Sequence, residues 1–124
     1  TAPDWAEQIK YISGGGVEVV LDSVGEATFN QAIDLLMPGG RLVTFGVTSG
    51  SSISFEIRTL YHKQISLLGT TMGSPHEFSQ MLRAMESGHI KPIIDSTFPL
   101  HQAGAAHQRL EQRQHFGKII LTIL

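Results

Sequence analysis

A chain of 124 residues with 41% hydrophobic and 16% charged residues is ordinary globular material, long enough for a modest core and unlike a disordered segment. Nine Lys and Arg against eleven Asp and Glu leave a formal net charge of −2 with no basic stripe, which argues against a nucleic-acid partner. The absence of cysteine removes disulfides and thiolate zinc sites and is compatible with a reducing compartment, and the apolar runs fall short of the roughly 20 residues of a membrane span. The expected setting is cytoplasmic, with no membrane partner. The chain opens on Thr1 with no basic-then-apolar leader, a start compatible with a processed or trimmed chain.

Asp4 and Glu7 have capping-box spacing, and Trp5, Ile9 and Ile12 share one face of a short helix that Gly14, Gly15 and Gly16 stop. Val17–Leu21 is a compact, mostly apolar β-branched run of the kind found in central parallel strands. Phe29, Ala32, Ile33 and Leu36 repeat at helical spacing, and Pro38, Gly39 and Gly40 end that helix in a turn. Arg41–Phe45 reads as the next strand. A looser stretch, Gly46–Ser54, leads to a short helix over Ile57–Lys63 and a strand over Ile65–Gly69.

The second half has clearer punctuation. Ser74 caps a helix that has Pro75 at its first position and Glu77 at its third, with Phe78, Met81, Leu82 and Met85 on one face and Gly88 past its end. Ile93–Phe98 reads as a strand, Ala103, Ala106 and Leu110 mark a helix, and Lys118–Ile123 is a final strand. Strands alternating with helices at this spacing give an α/β fold with a mainly parallel sheet.

Ligands of such sheets bind beyond the carboxyl ends of the strands. Three tips follow: Asp22-Ser23-Val24-Gly25, Phe45-Gly46-Val47 and Gly69-Thr70-Thr71-Met72-Gly73. Each carries a glycine, which admits a planar ligand close to the backbone, although a strand-to-helix turn also asks for glycine on its own account. Asp22 fits a turn or capping role better than an acid catalyst's.

The segments GVEVVLDSVG, LLMPGGRLVTFG, LYHKQISLLGTTMGS and HFGKIILTI, in that order, resemble the C-terminal part of the medium-chain dehydrogenase/reductase superfamily, in its zinc-type alcohol dehydrogenase and quinone oxidoreductase branches. The resemblance covers nearly the whole chain. It implies a fragment of an NAD- or NADP-dependent oxidoreductase that passes a hydride between the nicotinamide and a small alcohol, carbonyl, quinone or enone substrate. It also implies a partial Rossmann-type sheet with flanking helices over residues 1–72, and over residues 73–124 a C-terminal segment that packs on an absent catalytic domain. Carried over position by position, Ser23, Val24 and Gly25 would lie beside the nicotinamide riboside, with Phe45, Gly46 and Val47 next along the crevice, in contacts made through the main chain. Thr70, Thr71 and Met72 would present main-chain groups to the carboxamide. A homodimer through the Ile65–Gly69 strand, or a swapped assembly, is the implied partner arrangement.

The departures matter as much. No strand here runs into a GxGxxG turn and a helix, since Gly14, Gly15 and Gly16 follow a helix and precede a strand. The family's zinc ligands and proton relay lie mainly in the part ahead of this one, so zinc is a cofactor of the intact enzyme at most, with no ligand and no catalytic residue in this chain. The fragment is therefore expected to be inactive. His101 and His107, six apart, fall on different helical faces, His62, His89 and His115 stand alone, and no HExxH surrounds His76, so all six histidines read as solvated. Met72, Met81 and Met85 read as packing. An S-adenosylmethionine-dependent methyltransferase shares the acidic turn and the LxPGGxLV pattern but usually closes on a different ending. A non-catalytic, crystallin-like homologue is the other alternative.

Overall fold

The structure is a computed structural model that describes residues 4–123. The chain divides into two compact units between Met72 and Gly73. Its fold class is α/β as expected, with parallel strand pairing throughout the described residues: three strands in the first unit and two in the second.

In the first unit the order is α1 (Trp5–Ile12), β1 (Val17–Asp22), α2 (Phe29–Leu35), β2 (Leu36–Thr44), α3 (Ile57–His62) and β3 (Ser66–Gly69). The strands lie side by side in chain order, β1-β2-β3. The capping box expected for α1 does not form: Asp4 makes no cap bond, and its carboxylate accepts instead from the Gln8 side chain at 2.9 and 3.0 Å. A larger difference concerns Pro38-Gly39-Gly40. Pairing of β2 begins at Leu36, opposite Val17, and resumes with Arg41 opposite Val19, so residues 37–40 are looped out as a bulge within the strand. Gly39, at φ +78°, takes the left-handed conformation that the bulge requires, and its amide donates to the Lys63 carbonyl at 2.7 Å.

The core of this unit lies between α2, α3 and the sheet. Phe29, Ala32 and Ile33 of α2 meet Leu36, Leu42 and Ile65, with Val20, Phe55 and Leu60 packed around them. The Phe29 and Phe55 rings tilt together at 5.9 Å. The expected strand Ile65–Gly69 begins one residue later, at Ser66: Ile65 is buried in this core and its amide bonds to the Leu60 carbonyl at the end of α3, at 3.1 Å. The Lys63 ammonium closes the end of α2. It donates to the carbonyls of Asp34 at 2.9 Å, Leu36 at 3.0 Å and Ile33 at 3.4 Å, the last of which already accepts from the Leu36 amide.

The second unit runs α4 (Pro75–Glu86), β4 (Ile94–Pro99), a 3-10 turn (Leu100–Gln102), α5 (Ala103–Glu111) and β5 (Lys118–Thr122), with β4 and β5 paired. The expected capping box of α4 is present: the Glu77 amide donates to Ser74 Oγ at 3.2 Å and the Ser74 amide to Glu77 Oε2 at 2.6 Å. These bonds hold the Glu77 carboxyl below the usual carboxylate range. α5 is tied to β4 by Arg109, whose guanidinium grips Asp95 through two bonds at 2.6 and 2.9 Å. The Phe116 amide, on the approach to β5, adds a third bond to Asp95 at 3.1 Å. Among the described residues no helix is long and apolar enough to cross a membrane.

Candidate functional site

The register of the first sheet brings its three carboxyl ends level. Asp22 lies opposite Thr44, and Thr44 opposite Gly69, so the segments that follow leave the sheet along one rim. The ladder continues one step beyond the strands, with the Phe45 amide on the Asp22 carbonyl and the Thr70 amide on the Thr44 carbonyl, both at 3.0 Å. Ser23, Phe45 and Thr70 are thus neighbours in sequence across the rim, and all three are exposed.

At the first tip Asp22, only 4% exposed, turns its carboxylate back on its own loop. It accepts from the amides of Val24 at 3.2 Å and Gly25 at 3.1 Å and from the Thr28 hydroxyl at 2.8 Å. This is the turn role expected for Asp22, and it engages both carboxylate oxygens within the loop. The Gly25 carbonyl in turn accepts from the amides of Thr28 and Phe29 at 2.9 Å, which starts α2. The main chain of Val24 and Gly25 is consumed within the protein. Of this tip, the exposed Ser23 side chain and the half-buried Val24 side chain remain to meet a ligand.

The second tip folds back onto the first. Gly25 and Gly50 form a parallel bridge, the Glu26 amide donates to the Gly50 carbonyl at 3.2 Å, and Ser49 bonds to Val24 and Ala27. This contact, rather than ligand approach, explains two of the glycines. A Cβ on Gly46 would meet the Ser23 carbonyl oxygen at 2.7 Å, and one on Gly25, which is also at φ +89°, would meet the Gly50 oxygen at 2.6 Å. Gly69 differs, because a Cβ there would have nothing within 4 Å. Only the third glycine keeps the backbone open to an approaching ring.

Four amides along the rim, those of Gly46, Val47, Thr71 and Met72, donate to nothing among the described residues. Phe45 and Val47 are about half exposed, Thr70 and Thr71 are exposed, and Met72 stands 98% exposed at φ +38°. A hollow of about 380 Å³ runs along the free edge of β1, between Trp5 and Ile9 and the exposed Val19 and Leu21, and reaches Ser23 and Val24. Another hollow, about 410 Å³ between Asn30, Asp34, Phe55 and Glu56, touches none of the tips. The tips carry the stronger claim, because they gather unpaired donors at a sheet end. Ser49 was not singled out by sequence, and the only signal for it was a hydroxyl residue beside Gly50 in the loose Gly46–Ser54 stretch.

Five of the histidines are exposed as expected, but His115 is half-buried, and its Nδ1 has no partner. Met72 and Met81 are exposed, at 98% and 40%, so neither packs as expected. No three His, Cys, Asp or Glu side chains among the described residues converge closely enough to hold a metal ion.

Residues 1–121 match the family of zinc-binding dehydrogenases. The chain belongs to that family, the medium-chain dehydrogenase/reductases of the zinc-type alcohol dehydrogenase and quinone oxidoreductase branches. Quinone oxidoreductase of Homo sapiens is 30% identical over 121 residues, covering 92% of this chain and 36% of that protein. A thermostable alcohol dehydrogenase from Pyrobaculum aerophilum, solved with cobalt and zinc bound, is 30% identical with a TM-score of 0.82, over 95% of this chain and 35% of that one. A 2-octenoyl-CoA carboxylase reductase, CinF, solved in complex with NADP and 2-octenoyl-CoA, is 26% identical with a TM-score of 0.80, over 95% of this chain and 27% of that one. The chain therefore spans between 27% and 36% of the length of these relatives. The family match includes the ending that separates this chain from methyltransferases.

Proposed function

We propose that this chain furnishes the nicotinamide end of a dinucleotide crevice, in an oxidoreductase that moves a hydride between NAD or NADP and an alcohol–carbonyl or quinone–enone substrate. The observation that carries it is the level rim of three parallel strand ends with four unpaired amides beside one open glycine. When bound, the cofactor supplies the hydride chemistry. Ser23 and Val24 would flank the riboside beside the fixed Gly25, with Phe45 and the amides of Gly46 and Val47 further along. Thr71 and Met72 would offer their amides, and Thr70 its exposed side-chain hydroxyl, to the carboxamide oxygen and so fix which ring face meets the substrate. In this division residues 1–72 belong to the dinucleotide domain and residues 73–124 to the segment that returns to the catalytic domain.

These 124 residues contain no glycine-rich phosphate turn between a strand and a helix, and the carboxylate of Asp22 is tied into its own loop. Alone, the chain is expected to bind only the nicotinamide half, weakly, and to turn nothing over. The test is an NMR titration with reduced nicotinamide mononucleotide and, separately, adenosine monophosphate. Shifts at residues 23–25, 45–47 and 70–72 with the first probe and none with the second are expected, at dissociation constants of about 1 mM. Tight stoichiometric binding of the whole dinucleotide, or turnover with a small enone or aldehyde, would overturn the fragment assignment.

The free edge of β3, with Leu67 and Leu68 37% and 46% exposed, suits a second copy of this chain. Monomeric light scattering at micromolar concentration would count against that pairing.

A further inference from the structure

We infer that Ser49 is a positioning residue for the nicotinamide site, a role that rests on the function proposed above. Its amide donates to the Val24 carbonyl at 2.9 Å, its hydroxyl donates to the same carbonyl at 2.7 Å, and its Oγ accepts from the Ala27 amide at 2.9 Å. One exposed side chain thus joins the second tip to both sides of the first. Around it, the Gly25–Gly50 bridge and the Glu26-to-Gly50 bond complete the seam, and the Gly50 amide turns back on the Val47 carbonyl at 3.1 Å. The consequence falls on residues Ser49 does not touch. Gly46 and Val47, whose amides are free, lie in the short span between the end of β2 and this seam, so anchoring at Ser49 fixes where those amides point. No comparable bond anchors Thr71 or Met72 among the described residues. The rim is therefore a fixed pair of tips beside a third tip that settles on the ligand. Pre-ordering donors in this way strengthens binding by reducing the ordering left to do when the ligand arrives.

The experiment compares the unaltered chain with Ser49→Ala and Ser49→Thr in titrations with reduced nicotinamide mononucleotide, alongside amide exchange. Ser49→Ala is expected to weaken binding by about tenfold, with faster exchange at Ala27 and unchanged exchange at Leu42 in the core, and Ser49→Thr to restore binding to within about twofold. Binding by Ser49→Ala within about twofold of the unaltered chain overturns the assignment of Ser49 and leaves the nicotinamide site standing. An equal loss of binding in Ser49→Thr, or faster exchange at Leu42 as well, marks a general fold defect and also overturns it. An unaltered chain that shows no binding overturns both the site and the role. If Ser49→Ala does not fold, Ser49→Cys carries the same comparison, since a thiol is a poor donor.

Discussion

Replacing Lys63 by Met removes an ammonium group and keeps most of its stem. In the folded chain that group donates to Asp34 and Leu36 carbonyls at 2.9 and 3.0 Å, and to Ile33 at a long 3.4 Å that adds little. Hydrogen bonds to a charged group contribute about 1.5–3 kcal/mol each when well buried. Lys63 is half-buried and water can partly replace it, so about 1 kcal/mol per short bond is the better figure. Its position at the negative end of α2 adds about 0.5 kcal/mol. The sum is roughly 2–3 kcal/mol, a large share of what a unit this size possesses. The main-chain bond from Gly39 to the Lys63 carbonyl survives the substitution, so the bulge itself should persist. Urea unfolding followed by circular dichroism is the assay. With a slope near 1 kcal/mol per molar urea, the midpoint should fall by about 2–3 M while the slope stays constant. Lys10→Met, on an exposed helix and with no hydrogen bond from its ammonium, should move the midpoint by less than about 0.5 M. Equal effects of the two substitutions would refute the account of Lys63 as the closure of α2.

Asp22→Ala leaves two amides and the Thr28 hydroxyl without their acceptor and should cost about 3 kcal/mol, measurable by the same unfolding curves. Gly46→Ala must push its methyl into the Ser23 carbonyl and should destabilise by about 1–3 kcal/mol, whereas Gly69→Ala meets open space and should change stability by less than about 1 kcal/mol. If Gly69 is where a ligand ring approaches, that same Gly69→Ala should still weaken binding of reduced nicotinamide mononucleotide. The second unit should be acid-sensitive through Asp95. The bonds from Arg109, then Ser96 and Phe116, hold its carboxyl well below the usual carboxylate range, so its contribution is whole above the unfolded value of about 3.9 and drains away as pH falls below it. Thermal melts from pH 6 to pH 2 should show this loss in the unaltered chain and a flatter profile in Asp95→Asn. Identical profiles would remove Asp95 from the explanation.

Most elements were legible because their signals are local. The Ser74-Pro75-His76-Glu77 start of α4 carries its capping chemistry within four neighbouring residues, and it formed as read. The β-branched run from Val17 and the apolar spacing from Phe29 likewise need no distant partner to be recognised. The Asp4–Glu7 spacing shows the limit of that logic, since the Gln8 side chain competes for the same carboxylate and wins it. What escaped was long-range. Whether Pro38, Gly39 and Gly40 end a helix or bulge from a strand depends on Leu36 finding Val17, and nothing near Leu36 states that pairing. Ile65 reads as strand by composition, but its amide closes the turn after α3 on the Leu60 carbonyl, a bond the composition does not announce. At the rim, glycine positions were readable, but their reason was not: Gly25 and Gly46 serve a contact between loops more than twenty residues apart in sequence. Ser49 was invisible for the same cause, since a serine in a loose polar stretch looks alike whether it floats or clasps.

The seam at Gly50 also divides the connection between β2 and α3 into two parts with different freedoms. Residues up to Gly50 are committed to the rim, while Ser51 and Ser52 beyond it are exposed and bond to nothing among the described residues. An insertion placed after Ser51 would grow outward from a closed clasp and leave the strand ends in register, whereas one placed before Ser49 would pry them apart. That makes the 51–52 junction the natural grafting point for a reporter peptide or a longer loop, and a place where lengthening can reshape the surroundings of the crevice without redrawing its floor.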